Sequence, residues 1–179
     1  MKTRTTQKKP APPLDNRRLR DLALHYAGRY ATTRAKLSSY LQRKIRDRGW
    51  KEGEPFADLA EMVNQFAELG YVNDAAFADS KARSFVRRGY GARRLEQELH
   101  AAGIEDGDAV GARAQTAACA HASAEAFARR KRIGPFAAET ADPGIKQKQL
   151  AAFMRAGHSF DLARRFVQAA PGDEIAVTD

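Results

Sequence analysis

Apolar positions recur at spacings of three and four along most of the chain, and no segment alternates with period two. Over 14–30, Leu19, Leu22, Ala23, Tyr26, Ala27 and Tyr30 line one face of a helix. Thr32 or Thr33 caps a second helix carrying Leu37, Tyr40, Leu41 and Ile45, and Gly49 ends it. After a turn at 51–55, a third helix has Phe56, Leu59, Ala60, Val63, Phe66 and Ala67 on one side. Asp58 and Glu61 stand near its N-terminus, where acids suit the helix dipole, and Gly70 closes it. Asn73 or Asp74 opens the next helix, with Phe77, Ala78, Ala82, Phe85 and Val86 as its face and Gly89 as its end. A shorter helix bears Ala92, Leu95, Leu99 and Ala102 up to Gly103. The stretch 105–111 has capping groups but only Val110 as a sizeable apolar anchor, whereas alanine-rich 112–132 reads as one long helix broken by Gly134-Pro135. Asp142 as cap and Pro143 at the first helical position start another helix, with Ile145, Leu150, Phe153 and Met154 leading to Gly157. Ser159 or Asp161 caps the last, which carries Leu162, Ala163, Phe166 and Val167 and stops at Pro171-Gly172.

Three of the helix-ending glycines, Gly49, Gly103 and Gly157, are spaced 54 residues apart, each four residues after a large apolar side chain: Ile45, Leu99 and Phe153. A stop signal in fixed register indicates one supersecondary unit used three times. The expected fold is all-α, an elongated array of three tandem three-helix repeats at 14–70, 71–111 and 112–170. The basic, proline-rich segment 1–13 lacks periodicity and reads as a disordered arm with no apolar leader, and 171–179 as a flexible tail.

Charge narrows the function classes. With 31 Lys and Arg against 22 Asp and Glu, the chain has a net charge of +9 and a pI near 9.9, which attracts it to nucleic acid or to an acidic protein surface. No apolar run is long enough to span a membrane, and the single cysteine, Cys119, allows no internal disulfide, so a reducing cytoplasm is expected. His25, His100, His121 and His158 are scattered, and Cys119-Ala120-His121 is only a two-ligand fragment. Gly89-Tyr90-Gly91 lacks the strand and later glycine of a dinucleotide fingerprint. We therefore expect no catalytic site, no metal and no cofactor, hence no enzyme.

The basic residues are more informative. Between Lys81 and Arg94 stand Arg83, Arg87, Arg88 and Arg93 with no acid among them. The short Gly-Tyr-Gly turn brings Arg87 and Arg88 of one helix end close to Arg93 and Arg94 of the next, a concentration that repels itself unless a polyanion relieves it. Lys44 and Arg48 mark a second patch, and 129–132 repeats the basic theme. Phe56, Phe66, Phe77, Phe85, Phe153 and Phe166 fall on apolar faces and read as core. Trp50 and Tyr90 follow helix-ending glycines and are expected to pack on neighbouring helices, with stacking on a base as the alternative.

The run Leu69-Gly70-Tyr71-Val72-Asn73-Asp74-Ala75-Ala76-Phe77-Ala78, then Arg87-Arg88-Gly89-Tyr90-Gly91-Ala92-Arg93-Arg94-Leu95-Glu96-Gln97-Glu98-Leu99 and Gly103-Ile104, resembles the signature of the RecX family. Thr33-Arg34-Ala35-Lys36-Leu37 and the stretch from Lys148 to Asp161 resemble its first and last segments, so the likeness spans 19–168. Between Leu37 and Gly49 the chain holds about one extra helical turn relative to the commoner pattern. The resemblance implies tandem three-helix units that bind RecA–single-stranded-DNA filaments along their helical groove and restrain RecA's ATP hydrolysis, strand exchange and co-protease activity. It implies regulation of DNA repair, homologous recombination and the SOS response, by a monomer that also contacts single-stranded DNA. Gly70, Tyr71, Asn73, Asp74, Phe77, Leu99 and Gly103 would be the signature's structural positions. Charge density assigns the contacts to Arg83, Arg87, Arg88, Arg93 and Arg94, with Lys44 and Arg48 second. The alternatives are a general DNA- or RNA-binding helical module acting without RecA, and a scaffold for an acidic protein.

Overall fold

The computed structural model describes residues 12–176, and among these every regular element is helical, with one isolated bridge between Leu14 and Trp50. The chain divides into two compact units that part between Asn73 and Asp74.

The first unit holds α1 (Asn16–Arg29), α2 (Arg34–Arg48) and α3 (Leu59–Glu68). Each starts at a side-chain cap: Asp15 accepts from the Arg18 N–H at 2.8 Å, Thr33 from Lys36 at 3.2 Å and Asp58 from Glu61 at 3.0 Å. Leu19, Ala23, Leu37, Leu41, Met62, Val63, Phe66 and Val72 form the core. Leu14 joins them because its backbone bonds to both sides of Trp50, donating to the Gly49 carbonyl at 2.9 Å and accepting from Lys51 at 2.7 Å. Two expectations change here. Phe56 precedes α3 and is 65% exposed, leaning on the Trp50 ring at 5.0 Å, because Asp58 caps the helix two residues later. Tyr30 caps the C-terminus of α1 in extended conformation and is 52% exposed, since the helix ends before its last apolar position can turn inward. Of the arm expected at 1–13, residues 1–11 lie outside the described residues, while the Pro12 and Pro13 carbonyls accept from Arg48 and Arg18.

The second unit runs through α4 (Asp74–Arg87), α5 (Ala92–Ala101), α6 (Asp106–Ala118), α7 (Ala120–Lys131), α8 (Pro143–Arg155) and α9 (Phe160–Gln168). It has two clusters: Ala78, Ala82, Phe85, Leu95, Leu99, Ala109 and Ala112 among α4–α6, and Ala124, Phe127, Ile133, Phe153, Ala163, Phe166 and Val167 among α7–α9. Tyr90 packs against both. With the first unit, this makes three successive three-helix groups, each with its own core.

The segment 105–111 and the expected long helix 112–132 need correction. α6 runs from Asp106 across both, so the division expected between 111 and 112 falls inside a helix. Val110, the expected anchor, is 63% exposed, and α6 is held instead by Ala109 and Ala112 against Ala78 and Ala82 of α4. Small side chains let two helices approach closely, so no large anchor is required. The helical path then bends at Cys119. One turn earlier the Thr116 hydroxyl donates to the Ala112 carbonyl at 2.8 Å, a back-bond that bends helices. The tail is tied down as far as Ala176: Gly172 donates to the Pro135 carbonyl at 3.0 Å, Arg165 to that of Ala176, and Ile175 packs on the α7–α9 cluster.

The recurring glycines close the second helix of each group, α2, α5 and α8. After α5 and α8 the pattern is a Schellman turn. Gly103 and Ile104 donate back to His100 and Leu99, as Gly157 and His158 do to Met154 and Phe153. Gly49 exits differently, at φ 76° and ψ 166°, and leads into the pairing with Leu14. Gly91 is needed for a different reason: its φ is ordinary, but a Cβ there would lie 2.3 Å from the Gly157 carbonyl oxygen. Gly91→Ala is therefore expected to lower the unfolding free energy by about 3 kcal/mol through overpacking. Gly107→Ala, where a Cβ meets nothing within 4 Å, should raise it by about 0.5 kcal/mol. Urea unfolding followed by circular dichroism of the two variants checks both signs.

Candidate functional site

The turn joining α4 to α5 is held by both side chains and backbone of the α7–α9 group. Arg88, Gly89 and Tyr90 present three consecutive carbonyls, and all three accept side-chain donors from the α7–α9 group. Arg130 donates to Arg88, His158 Nε2 lies 3.2 Å from the Gly89 oxygen, and Ser123 Oγ donates to Tyr90 at 2.7 Å. The backbone adds two bonds in the other direction, Gly91 N–H to the Ala156 carbonyl at 2.9 Å and Arg93 N–H to that of Gly157 at 3.1 Å. Gly89 sits at φ 69°, where a Cβ would lie 2.8 Å from the Phe127 nitrogen, and Gly157 at φ 92°, where it would lie 2.4 Å from that of Arg94. Backbone from both groups thus meets at contact distance. Tyr90 fills the joint with its ring 5.3 Å from Phe85, which realises the packing expectation.

Around this fixed turn Arg83, Arg87, Arg88, Arg93 and Arg94 are all exposed. Among the described residues no carboxylate pairs with any of the five. The neighbouring acids are engaged elsewhere. Glu98 takes Lys81 at 2.8 Å, and Glu96 takes Arg113 at 2.8 Å, with Asp106 holding the same guanidinium. Those bonds raise the Arg113 pKa further. Arg88 lies 5.0 Å from the Tyr90 ring centre, and Arg94 reaches Gln97 at 3.4 Å. Arg87 and Arg88 at the C-terminal end of α4 suit its dipole. Arg93 and Arg94 do the opposite, occupying the first turn of α5, which has no acid and only Gly91 as cap. Two cations at the positive end of a helix weaken it, so helix formation does not account for their presence.

One member of this cluster is read from sequence only as part of the separate basic run 129–132. Arg130 is 42 residues from Arg88 in sequence, yet it donates to that carbonyl while its guanidinium lies 5.5 Å from the Phe127 ring centre. Only the packing of α7 on the turn reveals it. Arg129, beside it, is paired with Glu125 at 2.8 Å and stacked on Phe136.

The second expected patch lies in the first unit, and its two members have different duties. Arg48 donates to the Pro12 carbonyl at 3.1 and 2.9 Å, fastening the start of the described chain. Lys44 is half-buried over the Tyr40 ring at 5.4 Å. Trp50 packs, as expected, with its indole N–H donated to the Glu54 carbonyl at 3.1 Å. The signature positions serve the backbone. Gly70 (φ 76°) and Gly103 (φ 69°) end α3 and α5, Asn73 directly precedes α4 and Asp74 is buried as its first residue. Leu99 is core, Phe77 lies under Lys81, and half-exposed Tyr71 rests against Phe66. Among the described residues no group of three His, Cys, Asp or Glu side chains could hold a metal ion, and no helix is long and apolar enough to cross a membrane.

Comparison with known proteins gives this arrangement a context. Residues 73–110, which carry the turn and its arginines, match the family model described as RecX, second three-helix domain. The regulatory protein RecX of Myxococcus xanthus is 32% identical over 164 residues, covering 86% of each chain. That of Halorhodospira halophila is 32% identical over 158 residues, covering 87% of this chain and 90% of its own. In structure, the chain resembles the crystal structure of RecX from Lactobacillus salivarius, with a TM-score of 0.60 at 19% identity over 85% of this chain and 94% of that one.

The clamp also has a pH signature. Burial lowers the pKa of His158 from its ordinary 6.5, and the nearby charge of Arg130 adds to this against the opposing bond to the Gly89 carbonyl. Below 6.5 the unfolded chain therefore binds a proton that the folded chain does not. Stability contributed by this group is complete above pH 6.5 and falls on acidification toward the lowered folded value. Urea unfolding between pH 5 and 8 is expected to show this loss. His158→Gln, which keeps a donor but does not titrate, should flatten the dependence over that range.

Proposed function

The chain belongs to the RecX family, and from that premise we propose that it binds RecA–single-stranded-DNA filaments in their helical groove and inhibits RecA's ATP hydrolysis, strand exchange and co-protease activity. Three features support the reading: the family, the net charge of +9, and above all the five exposed arginines set around a clamped turn, with no carboxylate partner among the described residues. A nucleoprotein groove offers phosphates and carboxylates, the two anions a guanidinium fork engages bidentately. Arg87, Arg88, Arg93 and Arg94 make the principal contact, extended by Arg83 one turn back on α4 and by Arg130 across the joint. Lys44 belongs to a separate contact made by the first unit. Inhibition then comes from occupancy. A body whose turn is fixed by five hydrogen bonds resists the rearrangements that hydrolysis requires of the filament. The protein performs no chemistry of its own and works as a monomer in the cytoplasm, in the control of DNA repair.

The experiment is RecA's single-stranded-DNA-dependent ATP hydrolysis with substoichiometric amounts of this protein, at two salt concentrations. Progressive loss of hydrolysis is expected, at ratios too low to coat the DNA. The variant with Arg87, Arg88, Arg93 and Arg94 all changed to Glu should need at least about tenfold more protein for half-inhibition, equivalent to about 1.4 kcal/mol. Its helical circular dichroism should be unchanged, since none of the four side chains is buried. Full inhibition by that variant would remove the arginine assignment. Unchanged hydrolysis beside strong, salt-sensitive DNA binding by the natural chain would remove RecA and leave a general nucleic-acid module.

A further inference from the structure

The first unit has an aromatic cleft that the arginine cluster does not explain. It opens where α1 hands over to α2, has a volume of about 560 Å³ and is lined by His25, Tyr26, Tyr30, Lys36, Tyr40 and Arg43. That volume is in the range of small-molecule sites, about 300–1,000 Å³. Tyr26 and Tyr40 stack with ring centres 4.1 Å apart and planes at 12°, and Tyr30 stands 5.3 Å from Tyr26. Cations surround the rings. Arg29 lies 5.8 Å from the centre of Tyr30, while Arg43 and Lys44 lie 5.9 and 5.4 Å from that of Tyr40. Among the described residues no carboxylate lines the cleft. Burial raises the Tyr40 pKa above its ordinary 10.0, so no phenolate adds negative charge at neutral pH.

Core packing accounts for Tyr26 and Tyr40, which rest on the first-unit cluster. It does not account for Tyr30, more than half exposed at the mouth with a guanidinium beside it. Flat aromatic faces in a cation-rimmed cleft match one chemistry, a planar base carrying a phosphate. Aromatic rings stack on any unpaired base, and the rim cations take the backbone.

We propose that this cleft receives an unstacked base of single-stranded nucleic acid, with Tyr30 as the stacking platform, Tyr26 and Tyr40 as the wall, and Arg29 and Arg43 on the adjoining phosphates. The site is distinct from the arginine-flanked turn and lies in the other compact unit. It needs no RecA, so its fate is independent of the reading above. A base paired within a duplex has no free face to offer, and the cleft therefore discriminates single from double strands.

The test is fluorescence anisotropy of a short labelled oligo-thymidylate with the full chain and no RecA. Tyr30→Ala should weaken binding by about 5- to 140-fold, the range for removing one aromatic stacking platform. Tyr30→Phe should bind like the natural chain, because the ring is kept. Arg43→Gln should reduce the salt slope by about one ion. A duplex of the same length should be insensitive to Tyr30→Ala. With 5-iodouracil placed in the oligonucleotide, photo-crosslinking should map to Tyr26, Tyr30 or Tyr40. Tyr30→Ala binding as tightly as Tyr30→Phe, or crosslinks confined to the α4–α5 turn, would overturn the proposal. So would failure of the natural chain to bind the oligonucleotide at all.

Discussion

A tight turn leaves backbone carbonyls without helical partners, and a buried carbonyl without a partner costs about 1–3 kcal/mol. At 88–90 this chain answers that requirement from a distance, with side chains of α7 and the residue following the α8 stop. Much else in the second unit follows from it. Ser123 and His158 are buried where they donate, and that burial disfavours the charged form of His158. Gly91 and Gly157 must lack side chains so that the two backbones can meet. Tyr90 is held with one ring shared between two cores. The second and third helix groups are therefore joined through hydrogen bonds and glycine contacts as well as through apolar area.

The same joint determines where charge can go. Acids on α5 are drawn to Lys81 and Arg113, so none remains for the arginines at the turn. Half of that cluster sits well with the dipole of α4, but Arg93 and Arg94 oppose the dipole of α5. A sequence under selection for stability alone would place an acid or a serine cap there. Local rules of this kind are broken where function requires it, and the unmatched positive charge is the most direct physical argument that this surface meets an anion.

Much of the helix pattern was legible because stop signals are local. Gly70, Gly89, Gly103 and Gly157 each end a helix at positive φ, and capping residues mark most of the starts. Arg132 shows the limit of that code: it makes the same left-handed exit at φ 53° without a glycine. Features that depend on partners distant in the chain were not legible. The α4–α6 contact uses alanines, which look the same in a buried stripe as on an exposed helix face, so the absence of a large anchor at 105–111 misled. The bend at Cys119 comes from a threonine back-bond, with no glycine or proline to announce it. Spacing places Phe56 in the core and Tyr30 on the apolar face of α1, yet each lies just beyond a helix end, where periodicity no longer dictates direction. Charge counting found the arginines and the basic run 129–132 but could not join Arg130 to the turn, or foresee that Arg48 would be tied to Pro12.

Under the two proposals the units carry different chemistries toward the same kind of partner. In the second, guanidinium groups stand around a rigid turn, an arrangement suited to phosphate or carboxylate and indifferent to bases. In the first, stacked tyrosines with a cationic rim favour an unpaired base. A duplex satisfies only the former and an acidic protein surface only the former, whereas a single strand lying on protein presents both bases and carboxylates. On the proposed reading, selectivity over free duplex arises because engaging both units at once takes unpaired bases as well as phosphates or carboxylates. Linking two moderate sites in one chain raises overall affinity without any strong contact at either. On the same reading neither unit needs a deep pocket: discrimination comes from the coincidence of two recognitions, and the restraint on the partner follows from holding both together.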